Sequence, residues 1–98
     1  MSIAVIGAGA FGTALAIALS TNGDRVTLWA RDPKAVLHMQ AERENTRRLA
    51  GVAFPDSLIV TANLDDAFAC DVILLAIPAQ TLRGFLAQHS AALRGKAL

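Results

Sequence analysis

Apolar residues occur in short blocks along this chain, and the period inside the blocks changes from one to the next. Ile3-Ala4-Val5-Ile6 is a continuous apolar run of strand length that passes directly into Gly7. From about Phe11 to Asn22 an alanine-rich stretch predicts a helix, stopped at Asn22-Gly23-Asp24. Arg25-Val26-Thr27-Leu28-Trp29 is rich in strand formers and predicts a second strand. Asp32-Pro33 then sets a capping carboxylate before a proline at the first helical position, and Val36, Met39 and Arg43 carry a helical face to about Glu44. Asn45 to Asp56 has little periodicity and is expected to be a long loop, of a length that usually has a function.

Leu58-Ile59-Val60-Thr61 predicts a third strand. Asn63, followed three residues later by Asp66, predicts a capped short helix ending near Cys70. Val72 to Ile77 is again continuously apolar, as expected for a strand covered on both faces of a parallel sheet, and Pro78 ends it. Leu82, Phe85, Leu86, His89 and Leu93 form one stripe of a last amphipathic helix. Strand and helix thus alternate four times. With right-handed crossovers this predicts an α/β, Rossmann-like, doubly wound parallel sheet with strand order 3-2-1-4. Residues 1–98 read as one dinucleotide-binding domain. Its ligand belongs at the carboxyl ends of strands one and four, at Gly7 to Gly12 and Ile77 to Thr81. Such a domain has about six strands, so the expectation is the front portion of a longer protein. Strand four would keep an apolar open edge, which a second copy in a homodimer would cover.

Gly7-Ala8-Gly9-Ala10-Phe11-Gly12 lies between the first strand and the first helix, the context in which a GxGxxG spacing carries meaning. Gly7 permits the tight turn, Gly9 lets the backbone approach a pyrophosphate, and Gly12 lets helix and strand pack closely. No Ser, Thr, Asp or Asn stands at the helix cap, so the free N–H groups and the positive end of the dipole are left for an anion. The bland alternative is a tight turn and nothing more.

Composition narrows the classes. With 54% hydrophobic and 17% charged residues the chain is built to fold around a core. A net charge of +1 gives no electrostatic case for nucleic acid or a membrane surface. The uncharged stretch Ile3 to Leu19 lacks a basic leader and holds three glycines, which argues against a signal peptide or membrane span. Cys70 is the single cysteine, expected as a half-buried packing residue, and no metal site is expected. A lone thiol fits a reducing, cytoplasmic setting. Neither His38, on a solvated helix face, nor His89, on a packed one, is a credible general acid, so no catalytic residue is expected in this chain.

In order and spacing, Gly7 to Ala16, Val26-Thr27-Leu28-Trp29-Ala30-Arg31-Asp32, Arg43-Glu44-Asn45 and Ala76-Ile77-Pro78-Ala79-Gln80 resemble the amino-terminal domain of bacterial-type NAD(P)-dependent glycerol-3-phosphate dehydrogenase. One departure is Arg48-Leu49-Ala50-Gly51, where the family usually shows Tyr-Leu-Pro-Gly. The resemblance implies reduction of dihydroxyacetone phosphate to sn-glycerol 3-phosphate with NADPH or NADH, for phospholipid synthesis. It also implies a helical carboxyl-terminal domain, beyond Leu98, that holds the catalytic lysine and the substrate-phosphate contacts. By position, Ala10 and Phe11 would touch the cofactor, Arg31 would meet the adenosine ribose end, and Pro78 would lie beside the nicotinamide half. A carboxylate at the end of strand two favours NAD and an arginine favours NADP. Asp32 has a competing task as helix cap, so Arg31 is assigned to the ligand and NADP is favoured, with Arg48 placed to add charge near the 2′-phosphate. The alternatives are another two-domain dehydrogenase, of ketopantoate reductase or 6-phosphogluconate type, and a non-catalytic dinucleotide sensor.

Overall fold

A computed structural model describes residues 2–94. Its central sheet has four parallel strands, β1 (Ser2–Ile6), β2 (Arg25–Trp29), β5 (Ile59–Thr61) and β6 (Val72–Leu75), in the order β5-β2-β1-β6. This is the expected 3-2-1-4 arrangement. β1 is central: Val5 stands opposite Leu28 on one side and Leu74 on the other. Ala4, Val5 and Ile6 are each 0% exposed, as their unbroken apolar run requires in a strand with neighbours on both edges and cover on both faces.

Successive side chains of a strand point to opposite faces, which divides the core in two. Val5 joins Val26, Leu28, Val36, Met39, Leu58 and Val60 under helices α1 (Ala10–Thr21) and α2 (Pro33–Glu42). Ala4 and Ile6 join Ala67, Cys70, Ile73 and Leu93 on the other face, where α3 (Leu64–Phe68), α4 (Ala79–Gln88) and α5 (Ser90–Leu93) lie. Cys70 is more deeply placed than expected, at 6% exposure, with Sγ 3.8 Å from Thr27 Oγ1.

Several boundaries differ from those expected, among them that of β5, which begins at Ile59 rather than Leu58. Residues 45–56 are not a loop throughout: β3 (Glu44–Asn45) and β4 (Leu49–Ala53) form an antiparallel hairpin. The hairpin escapes a periodicity reading because polar contacts hold it. Glu44 Oε2 accepts from the Gly51 N–H at 2.9 Å, and Arg43 Nη2 donates to the Pro55 and Leu58 carbonyls at 2.8 Å each. α2 stops at Glu42 because Arg43 turns left-handed, at φ 55°, and leaves the helical face. β6 ends at Leu75, although the Ala76 N–H still donates to Ile6. The last stripe is split into α4 and α5 at His89, whose φ of −115° leaves the helical region while the apolar spacing to Leu93 is preserved. Asn63 caps α3 through Oδ1 as expected, but Asp66 does not reach back to the Asn63 N–H. Thr61 Oγ1 stands between them, accepting from the Asn63 N–H and donating to the Asp66 carboxylate.

Among the described residues no helix is long and apolar enough to cross a membrane. Nor does any group of three or more His, Cys, Asp and Glu gather there as a metal site.

Candidate functional site

The chain leaves β1 through Gly7, which adopts φ +114°, a conformation costly for any residue with a side chain. A Cβ there would also lie 2.5 Å from the Ala76 carbonyl oxygen of the strand β6 exit. Gly12, in the first turn of α1, is as tightly placed: its Cβ would lie 2.0 Å from the Gly7 carbonyl oxygen. Gly9 is different. It sits at φ −73° in extended backbone, and no atom lies within 4 Å of where its Cβ would be. Two glycines therefore bring helix, turn and sheet together, and the third leaves open space in front of them.

That space is a cleft of about 1230 Å³ along the carboxyl ends of β1, β2 and β6. Gly7, Gly9, Ala10, Phe11, Gly12, Arg31, Arg48 and Pro78 all line it, so the eight residues singled out from the sequence are gathered at one place. Phe11, 74% exposed, is a large apolar ring left in solvent at the start of α1. Trp29 ends β2 at the cleft wall and is anchored by Nε1 donating to the Ala62 carbonyl at 3.1 Å. Phe85 and His89 bring aromatic rings to the cleft, tilted 47° to each other with centroids 4.6 Å apart, and behind them His89 lies 5.5 Å from Phe68 at 57°. His89 is thus half-buried in this cluster, as its boundary position on the stripe suggested.

Sequence reasoning did not assign Asn45, Arg47, Gln88 or His89 to the cleft, though all line it. Arg47 and Arg48 arrive on the hairpin that was expected to be a loop. For Asn45 the only signal was its place in the resemblance, since a buried polar residue in an aperiodic segment has no pattern of its own.

The residues present suit an extended anionic ligand. The volume exceeds the roughly 300–1,000 Å³ of pockets for drug-sized molecules. No side chain caps α1 at Gly9, so the N–H groups of its first turn face no competing side-chain acceptor. Arg31, Arg47 and Arg48 are exposed and make no ion pair among the described residues. Asp32 is the one carboxylate among the described lining residues, and its Oδ1 accepts from the Lys34 N–H at 3.0 Å as the cap of α2.

A parallel sheet with its glycine turn and cleft at the point where strand order reverses defines a Rossmann-type domain of the dinucleotide-binding class. More narrowly, the chain belongs to the family described as the NAD-dependent glycerol-3-phosphate dehydrogenase N-terminus, whose model matches residues 2–98. It is 54% identical over 98 residues to a glycerol-3-phosphate dehydrogenase (NAD(P)+) of a Ruegeria species, covering 100% of this chain and 30% of that protein's length. The crystal structure of glycerol-3-phosphate dehydrogenase from Coxiella burnetii superposes with a TM-score of 0.90 at 32% identity, over 98% of this chain and 30% of that one. A putative 2-dehydropantoate 2-reductase from Enterococcus faecalis, 23% identical with a TM-score of 0.67 over 99% of this chain and 32% of its own, shares the fold alone. The chain thus spans about 30% of the length of these curated relatives.

Proposed function

We propose that this chain forms the nicotinamide-dinucleotide site of a glycerol-3-phosphate dehydrogenase that reduces dihydroxyacetone phosphate to sn-glycerol 3-phosphate, with NADPH preferred over NADH. The observation that carries the reading is the cleft, which the glycine turn, the uncapped start of α1 and the Arg31 end of β2 line together. The first-turn N–H groups of α1 hold the diphosphate, and the bare Gly9 lets it approach the backbone. Phe11 covers the ligand from the helix side, and Pro78, at the start of α4, borders the nicotinamide half. When bound, the reduced nicotinamide supplies a hydride to the carbonyl carbon of the substrate.

The NADPH preference follows from how β2 ends. A carboxylate free to meet a ribose 2′-hydroxyl would favour NADH, but Asp32 is engaged at the start of α2. Arg31 is left as the charged group at the strand end, with Arg48 on the hairpin opposite. His38 lies beside Glu42, with Nε2 4.0 Å from the carboxylate, and His89 packs at a tilt against Phe68 and Phe85, so neither is assigned a proton-transfer role. Titration of the chain and of Arg31→Glu with both cofactors tests the assignment. Loss of one charge-assisted contact of about 1.5–3 kcal/mol predicts roughly 10- to 100-fold weaker NADPH binding. NADH should be affected far less. Equal losses for the two cofactors would remove Arg31 from the 2′-phosphate site.

A further inference from the structure

One side chain joins the hairpin to the glycine turn. Asn45 is 5% exposed, and its Nδ2 donates to the Ala8 carbonyl oxygen and to Thr13 Oγ1, both at 2.9 Å. Thr13 is itself 0% exposed, so the tie is shielded from water. The Ala8 carbonyl belongs to the peptide that links Ala8 to Gly9. In a trans peptide C=O and N–H point in opposite directions, so a carbonyl held toward Asn45 keeps the Gly9 N–H turned away from the hairpin.

Without that tie the peptide would be free to rotate. No atom lies within 4 Å of where a Gly9 Cβ would be, and glycine accepts positive φ about as readily as negative. A flipped peptide would offer an oxygen where an N–H had stood, which repels rather than binds an anion. We propose that Asn45 is a positioning residue that locks the Ala8–Gly9 peptide in its anion-binding orientation. The same tie fixes Arg47 and Arg48, two and three residues further along the hairpin, relative to the turn. This inference rests on the dinucleotide reading above.

The test uses the full chain and its Asn45→Ala, Asn45→Asp, Thr13→Ser and Thr13→Val variants. NADPH affinity is measured by calorimetry, and the Gly9 amide signal is followed by nuclear magnetic resonance in the absence of ligand. Both Asn45 variants should bind NADPH about tenfold more weakly, the consequence of losing two buried hydrogen bonds, with Asn45→Asp the weaker because its carboxylate faces the Ala8 oxygen. Their Gly9 signal should shift or broaden while amides of the sheet interior, Val5 of β1 and Leu28 of β2, keep their protection from exchange. Thr13→Ser keeps the hydroxyl acceptor and should bind within about twofold of the parent. A merely structural Asn45 would lower the melting temperature and leave both the Gly9 signal and the affinity of folded protein unchanged, which would overturn the proposal. If the Asn45 variants fail to fold, Thr13→Val removes one of the two anchors at constant shape; unchanged affinity and an unchanged Gly9 signal in that variant would overturn it equally. A parent chain that binds no dinucleotide defeats the proposed function and this inference together, whereas a parent that binds while its Asn45 variants match it defeats the inference alone.

Discussion

A methyl group added at Gly12 and the same methyl added at Gly9 should have opposite consequences. At Gly12 the new carbon would lie 2.0 Å from the Gly7 carbonyl oxygen and 3.1 Å from Ala76 Cβ. Carbon contacts are comfortable at about 3.5–4.0 Å, so the carbonyl would have to retreat by more than about 1 Å. It has little freedom to do so. The Gly7 N–H donates to the Trp29 carbonyl at 2.9 Å, which tethers the turn to β2. Overpacking costs about 1–3 kcal/mol, and a clash with tethered backbone belongs at or beyond the top of that range. Replacing glycine by alanine in a helix offsets about 1 kcal/mol, which leaves a net loss of about 2 kcal/mol or more. For a domain of this size that is a fall in Tm of roughly 8–16 °C.

Gly9→Ala meets no atom within 4 Å and sits in backbone that any residue adopts. Its Tm should hold, or rise slightly, because alanine lowers the entropy of the unfolded chain by about 0.4–1 kcal/mol. Yet under the proposed function the methyl would stand where the diphosphate approaches, so NADPH binding should weaken by at least about tenfold. Thermal melts by circular dichroism, with calorimetric titration at a temperature where both variants are folded, separate the two effects. Equal Tm losses, or a Gly9→Ala variant that binds like the parent, would refute this division of labour.

Arg43→Ala removes the two 2.8 Å bonds to Pro55 and Leu58 and the guanidinium that lies 5.7 Å over the Phe54 ring. The expected cost is about 2–4 kcal/mol, visible as faster hydrogen exchange across residues 44–53, and unchanged exchange there would mean the hairpin is held by other contacts. Ile73→Ala empties a site at 0% exposure in the cluster with Ala4, Ile6, Ala67, Cys70 and Leu93, so it should cost about 2–5 kcal/mol of a total near 5–15 and lower the urea midpoint sharply. Asp32→Ala should cost about 1 kcal/mol by uncapping α2, and a melt identical to the parent's would show that Pro33 alone suffices to start the helix.

Much of this architecture is legible in local patterns because local patterns report burial. A four-residue apolar run such as Ile3 to Ile6 is stable in water only as a covered strand, and Val72 to Leu75 makes the same statement. The glycine turn is equally readable, since positive φ at Gly7 and the close approach at Gly12 are conditions that one residue type meets without strain. Asp32-Pro33 and Asn63 announce their helices through cap chemistry confined to a few neighbouring residues. These short-range requirements sufficed for the elements and the three glycines; strand order took the right-handed crossover rule as well, and the cofactor contacts of Ala10, Phe11 and Pro78 were reached only through the family resemblance.

The hairpin was decided elsewhere. Leu49 to Ala53 is largely exposed and shows no alternation, so nothing within the segment distinguishes it from a loop. It exists because Arg43 reaches carbonyls twelve and fifteen residues away, Glu44 reaches Gly51, and Asn45 reaches Ala8 and Thr13 across more than thirty. The break at His89 is also tertiary, since side-chain spacing runs through it unchanged while the ring settles among Phe68 and Phe85. Short-range sterics and hydrophobic period are properties of a segment and can be read from it. A polar side chain's partner is a property of the folded chain, and that is why the sheet and glycine turn were determined by the sequence alone while the tie from Asn45 to the turn emerged only in three dimensions.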